Sequence, residues 1–73
     1  MTTKTTLAQH VGARARTIRD TQGLTQRQIA DKAGMVHQEV SRFESGTSNP
    51  RLDTLEQIAD ALDVSVEELV KDS

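Results

Sequence analysis

Apolar residues recur along the chain at helical spacing almost from end to end. Leu7, Val11, Ala15 and Ile18 lie four, four and three apart, one face of a helix. Thr6 and Gln9 have the spacing of a capping box, and Gly23 is placed to end the run, so the pattern predicts a helix over 7–21. Thr25 and Gln28 repeat the capping spacing ahead of Ile29, Ala30 and Ala33, and Gly34 stops that second, shorter helix. Val36, Val40 and Phe43 then fall at i, i+4 and i+7, with Gly46 at the end. The polar run Thr47-Ser48-Asn49-Pro50 is turn chemistry. Leu52, Leu55, Ile58, Ala59 and Leu62 mark a fourth helix. Ser65 and Glu68 form a third capping pair ahead of Val66, Leu69 and Val70. No segment alternates with period two, so the expected fold is all-α, five short helices around one core. Residues 1–6 are expected to be a flexible tail, 7–70 the domain and 71–73 its end.

Composition narrows the function. The chain has 73 residues, 34% of them hydrophobic, and a single aromatic, Phe43. That suffices for a small helical core and is too little for a large enzyme cleft. There is no cysteine, the two histidines are far apart, and no glycine-rich phosphate loop or zinc spacing occurs. An enzyme, a metal site and a bound cofactor are therefore not expected. No apolar run reaches the ~20 residues of a membrane-spanning helix. The start, MTTKTTLAQH, lacks an apolar signal core, which points to the cytoplasm.

Charge adds an asymmetry. The net charge is −2, yet residues 1–51 hold eight Lys/Arg against four acids, and residues 52–73 hold one Lys against seven acids. A basic working face and an acidic back follow.

The chemistry concentrates in residues 25–45. The second and third helices meet across Gly34, where a tight turn needs positive φ, and Ala30 is small where they would cross. Met35 and Val40 have the spacing of a hydrophobic staple. The runs Gly23-Leu24-Thr25-Gln26, Ile29-Ala30-Asp31-Lys32-Ala33-Gly34 and Val40-Ser41-Arg42-Phe43-Glu44-Ser45-Gly46 resemble the phage repressor and Cro family of regulators (XRE type). The tail from Pro50-Arg51-Leu52-Asp53-Thr54-Leu55 to Ile58-Ala59-Asp60-Ala61-Leu62-Asp63-Val64-Ser65 extends the match over about residues 7–70. The resemblance implies a lambda-repressor-like domain whose third helix enters the DNA major groove, used as a dimer on paired half-sites. The chain departs from the pattern at Val36, where Ser or Thr is usual, at Arg51, where Ser is often found, and at Ala15, where a larger aliphatic is usual.

On a helical wheel, Val36, Val40 and Phe43 take the core side of the third helix, and His37, Gln38, Ser41, Arg42 and Ser45 take the open side. That open side is polar and free of carboxylates, which suits base edges and phosphates. Gln38 can pair bidentately with adenine and Arg42 with guanine; the resemblance implies the same two positions, with His37, as base readers. Val36 is read as core, with contact to a thymine methyl as the alternative, and Glu39 as a first-turn acid that favours the helix dipole. Thr25 and Gln26 open the second helix, whose N-terminus suits backbone phosphate, and Ser41, Ser45 and Arg51 are further phosphate candidates. Arg14, Arg16 and Arg27 are read as solvated in the commoner case. Glu44 falls at the edge of the core side; the resemblance implies that it pairs with Arg19, tying the first helix to the third.

The expected function is a small dimeric regulator, a repressor first, of double-stranded DNA carrying a palindromic operator. The alternative is the antitoxin of a toxin–antitoxin pair, with a protein partner. Val66, Leu69 and Val70 are candidates for the dimer or partner contact.

Overall fold

The computed structural model describes residues 6–47 and 49–71. The helices are α1 (Leu7–Gln22), α2 (Gln26–Ala33), α3 (His37–Ser45), α4 (Leu52–Leu62) and α5 (Val66–Val70), and no strand occurs among the described residues. The expected all-α domain of five helices is therefore found. The helical pattern stops one residue short for α1. The expectations for residues 1–5, 72 and 73, and for Ser48 in the turn, lie outside the described residues.

Local chemistry places the helix ends. Thr6 and Gln9 cap reciprocally, as do Thr25 and Gln28. The third pair forms by halves: Ser65 accepts from the Glu68 N–H, while the Glu68 carboxylate is taken by Arg14. Helices α1, α2 and α3 each close on a left-handed glycine, as expected, and α4 closes on Asp63 at φ 59°, which the residue pattern does not announce. A short aspartate tolerates that conformation better than most side chains do.

The core gathers Val11, Ala15, Ile29, Ala30, Val40, Phe43, Leu55, Ile58, Leu62 and Leu69, with Met35 packed against it from the turn. Three stripe residues do not join it. Leu7 is 67% exposed, Leu52 is 78% exposed, and Val36 is 58% exposed. Each stands at the first helical turn or just before it, where the stripe has not yet rotated over the core. Ala8 and Gly12 are buried in place of Leu7 on the α1 face.

Gly12 shows how tightly α1 lies on α3. A Cβ there would stand 2.3 Å from the Phe43 carbonyl oxygen and 2.7 Å from that of Glu44. Gly46 meets the same constraint from the other side: it has φ +70°, and a Cβ would stand 2.6 Å from the Gln9 Cα. The C-terminal end of α3 is thus seated on the α1 backbone.

Candidate nucleic-acid interface

Helices α2 and α3 are joined by Gly34, Met35 and Val36. Gly34 turns the chain at φ +71°, and the Met35 N–H donates to the Ala30 carbonyl at 2.9 Å, closing α2. Val36 is the N-cap of α3 and offers no side-chain acceptor. Glu39 replaces part of the cap: its Oε1 accepts the Val36 N–H at 3.1 Å. The carboxylate is thereby committed to its own helix end. Val36, expected in the core, instead lines an open cleft beside Arg27, His37 and Gln38.

The outer side of α3 is arranged as the wheel predicts, with Gln38, Arg42 and Ser45 exposed and His37 and Ser41 half-buried. Ser45 donates its hydroxyl to the Arg42 carbonyl at 3.0 Å, which leaves its oxygen able to accept. Arg42 lines a second groove with Asn49, Pro50 and Arg51, so the loop before α4 flanks α3. Arg51 is the N-cap of α4, with a side chain 86% exposed. Thr25 spends its hydroxyl lone pair on the Gln28 N–H at the start of α2.

Beneath this surface lies a polar cluster. Arg19 Nε and Nη2 donate to Glu44 Oε2 and Oε1 at 2.6 and 3.0 Å, and Nη1 donates to the Leu24 carbonyl at 2.8 Å. The two side chains are only 11% and 5% exposed, so the ion pair is largely sheltered from water. The Glu44 hydrogen bond holds the Arg19 guanidinium above its ordinary pKa, partly opposed by burial and helped by the charges of Glu44 and Asp20. Stability from a raised basic group is lost only as pH rises through the folded value, here in the strongly alkaline range, so Arg19 stays cationic near neutrality. Gln26 Nε2 donates to the same Glu44 Oε1 at 2.9 Å, and Gln26 Oε1 lies 3.0 Å from His37 Nε2. The resemblance implies the ion pair and a Gln26 that braces the third helix, but not the line that runs from Glu44 through Gln26 to His37, because spacing along one helix carries no signal for a bond between helices.

Two expectations change. Leu69 is fully buried in the core, which removes it as a dimer or partner contact, and Val66 and Val70 are half-buried against that core. The five-residue α5 turns its apolar side inward to cover α1 and α4. Arg14, read as solvated, instead donates from Nε to the Glu68 carbonyl at 3.1 Å and from Nη2 to Glu68 Oε1 at 3.3 Å. His10 meets the Lys71 carbonyl, and Gln22 Nε2 donates to the Leu62 carbonyl at 2.6 Å. These side chains act as staples between helices. No group of His, Cys, Asp or Glu able to hold a metal occurs among the described residues. No helix there is long and apolar enough to cross a membrane.

Comparison with known proteins agrees with this geometry. The helix-turn-helix family model matches residues 16–69. The immunity repressor protein of Bacillus phage phi105 is 40% identical over 60 residues, which are 82% of this chain and 42% of the repressor. The chain thus spans less than half the length of that relative. The crystal structure of the restriction-modification controller protein C.AhdI from Aeromonas hydrophila superposes with a TM-score of 0.80 at 33% identity, over 86% of this chain and 94% of that one. The N-terminal DNA binding domain of SinR from Bacillus subtilis gives 0.81 at 30% identity, over 89% and 96%. The chain therefore belongs to the helix-turn-helix (XRE-type) family of transcriptional regulators.

Proposed function

We propose that this chain is a sequence-specific double-stranded DNA-binding repressor that works in the cytoplasm as a homodimer on a palindromic operator. The observation that carries the reading is the two-sidedness of α3. Its inner side is fixed by Val40, Phe43 and the Arg19–Glu44 pair, and its outer side presents Gln38 and Arg42 to solvent. A helix held that rigidly and faced with side chains capable of bidentate pairing is suited to base edges. His37, Gln38 and Arg42 are the proposed base contacts. Thr25, Gln26, Ser41, Ser45 and Arg51 are the proposed phosphate contacts, with Gln26 using the amide hydrogen that Glu44 leaves free.

One short helix makes few base contacts, so two half-sites are needed for useful affinity. The dimer surface we propose is the apolar groove of about 240 Å³ lined by Leu7, Val11, Leu52, Leu55 and Val70. Asn49 and Pro50 line both this groove and the one beside Arg42. The proposed contact therefore adjoins the α3 surface of each protomer. The exposed Leu7 and Leu52 supply the knobs that a self-complementary contact needs. The partner-module alternative is not favoured, since relatives of this chain include named phage repressors.

The test selects duplexes from a random pool and titrates variants on the chosen site. Gln38→Ala and Arg42→Ala are each expected to cost roughly 1–3 kcal/mol and to relax preference at one base pair per half-site. Full base preference after Arg42→Ala overturns the assignment of α3. In sedimentation, Leu52→Asp is expected to leave a monomer that still folds; an unchanged dimer moves the interface elsewhere.

A further inference from the structure

Arg19, Glu44, Gln26 and His37 form one hydrogen-bonded line, and its direction is set by what each group can do. A guanidinium only donates, and a carboxylate only accepts. Arg19 occupies both Glu44 oxygens, and Glu44 Oε1 also takes Gln26. The Gln26 amide is therefore not free to turn: its nitrogen faces the carboxylate, and its oxygen faces His37. A carbonyl oxygen only accepts, so His37 Nε2, 3.0 Å away, carries the hydrogen. In the neutral ring, Nδ1 then keeps its lone pair. Nδ1 has no protein hydrogen-bond partner among the described residues. His37 occupies the first position of α3, next to Gln38.

We infer that the buried Arg19–Glu44 pair, acting through Gln26, holds His37 as its Nε2–H tautomer, so that His37 meets DNA as a hydrogen-bond acceptor at Nδ1 and selects a base bearing an exocyclic amine. This rests on the DNA-reading role proposed above and deepens it. In the major groove the amines are adenine N6 and cytosine N4, whereas guanine and thymine present only acceptors on their own edges. An imidazole free to choose its tautomer serves either class. This one is committed by an arginine on another helix, which makes Arg19, Glu44 and Gln26 positioning residues for the reading atom.

Two measurements on the full chain test it. Nitrogen NMR in alkaline buffer, where imidazole side chains are neutral, reads the tautomer without DNA. The expected spectrum places the hydrogen of His37 on Nε2. In Glu44→Gln, the new amide gives its oxygen to Arg19 and its nitrogen to Gln26. The Gln26 amide then turns, and the hydrogen on His37 is expected to move toward Nδ1. Binding is measured on the selected site and on duplexes lacking one amine at a time (purine for adenine, pyrimidin-2-one for cytosine). At one position per half-site, the deletion is expected to cost the unmodified chain about fivefold or more, the scale of one hydrogen bond, and to cost His37→Ala nothing further. Gln26→Met leaves the Arg19–Glu44 pair intact and so serves as a second variant should Glu44→Gln fail to fold; it is expected to lose the same discrimination. The inference is overturned if the hydrogen lies on Nδ1 in the unmodified chain. It is also overturned if every amine deletion costs the unmodified chain and His37→Ala equally, or if Gln26→Met retains the discrimination. A chain that binds no duplex removes the DNA-reading role, and the spectrum judges the tautomer separately.

Discussion

Helix α1 carries Arg14 and Arg19 on two seams, and the chain uses the same chemistry for different ends. On the α1–α3 seam, Arg19 makes a two-pronged contact to Glu44 at 2.6 and 3.0 Å, with side chains 11% and 5% exposed. On the α1–α5 seam, Arg14 reaches Glu68 through one oxygen at 3.3 Å, with side chains 26% and 47% exposed. The first pair is shut from water and tied to Gln26 and, through it, to His37. The second lies open to water and ends at α5, away from the reading helix. Burial makes an ion pair costly to form and more costly to break, whereas an exposed pair is worth little either way. The difference assigns the first seam to holding α3 and the second to fastening α5.

The largest expected effect comes from breaking the buried seam. Glu44→Ala leaves Arg19 charged, and strands Gln26 without its acceptor. A loss of about 3 kcal/mol in urea unfolding is expected, together with at least tenfold weaker binding to the selected duplex under conditions where the variant is folded. Unchanged melting and unchanged affinity would show the pair to be without consequence and collapse the contrast.

Gly12→Ala tests whether that seam also depends on backbone approach. The new methyl would meet the Phe43 and Glu44 carbonyls at 2.3 and 2.7 Å, and backbone cannot swing aside as a side chain does. Overpacking of this kind costs about 1–3 kcal/mol, more than the ~1 kcal/mol that alanine gains over glycine inside a helix. A variant as stable as the original would show that α1 and α3 separate freely and that only the charges join them.

How much of this was legible in the sequence follows the range of each interaction. The helices, the glycine ends at Gly23, Gly34 and Gly46, and the capping boxes at Thr6 and Thr25 are local, and residue spacing revealed them. The outer side of α3 was legible because about 3.6 residues per turn sorts its side chains without help from the rest of the fold. Leu7, Val36 and Leu52 misled, because a stripe gives the facing side of a helix but not how far the core extends toward its ends. Leu69 misled for the opposite reason: α5 is so short that nothing local says which neighbour covers it. Arg14 with Glu68, and Gln26 with His37, join residues distant along the chain, and only the fold brings them together. The Arg19–Glu44 pair spans helices too; it was foreseen through family resemblance, with wheel position adding only that Glu44 sits at the core's edge.

Val36→Ser compares the two ends of α3. The C-terminal end is clamped to α1, while the N-terminal end has no side-chain acceptor at its cap. A serine hydroxyl there is expected to raise stability by about 1 kcal/mol, read as a higher midpoint in urea at unchanged slope. Glu39 already serves the Val36 N–H, whereas serine would serve a first-turn N–H farther along, so the two caps add rather than compete. No gain would mean that the end is already satisfied and that the contrast between the ends of α3 is only apparent.

The smallest effect is expected at the open seam, and its smallness is what gives it value. Glu68→Ala removes one 3.3 Å contact from a carboxylate that is 47% exposed. Such pairs contribute about 0.2–1 kcal/mol, and added salt screens them over roughly 10 Å at 0.1 M. Arg14 keeps its second anchor in this variant, because Nε donates to the Glu68 carbonyl at 3.1 Å, an atom the substitution leaves in place. Arg14→Ala loses both contacts and is expected to cost more than Glu68→Ala, by the worth of one hydrogen bond, about 1 kcal/mol. Neither variant should alter base preference on the selected site, since neither side chain bonds to α3 or to the line from Arg19 to His37. A shift in base preference from Arg14→Ala, measured where both proteins are fully folded, would mean that α5 helps to aim the reading helix. The two seams of α1 would then be one device rather than two.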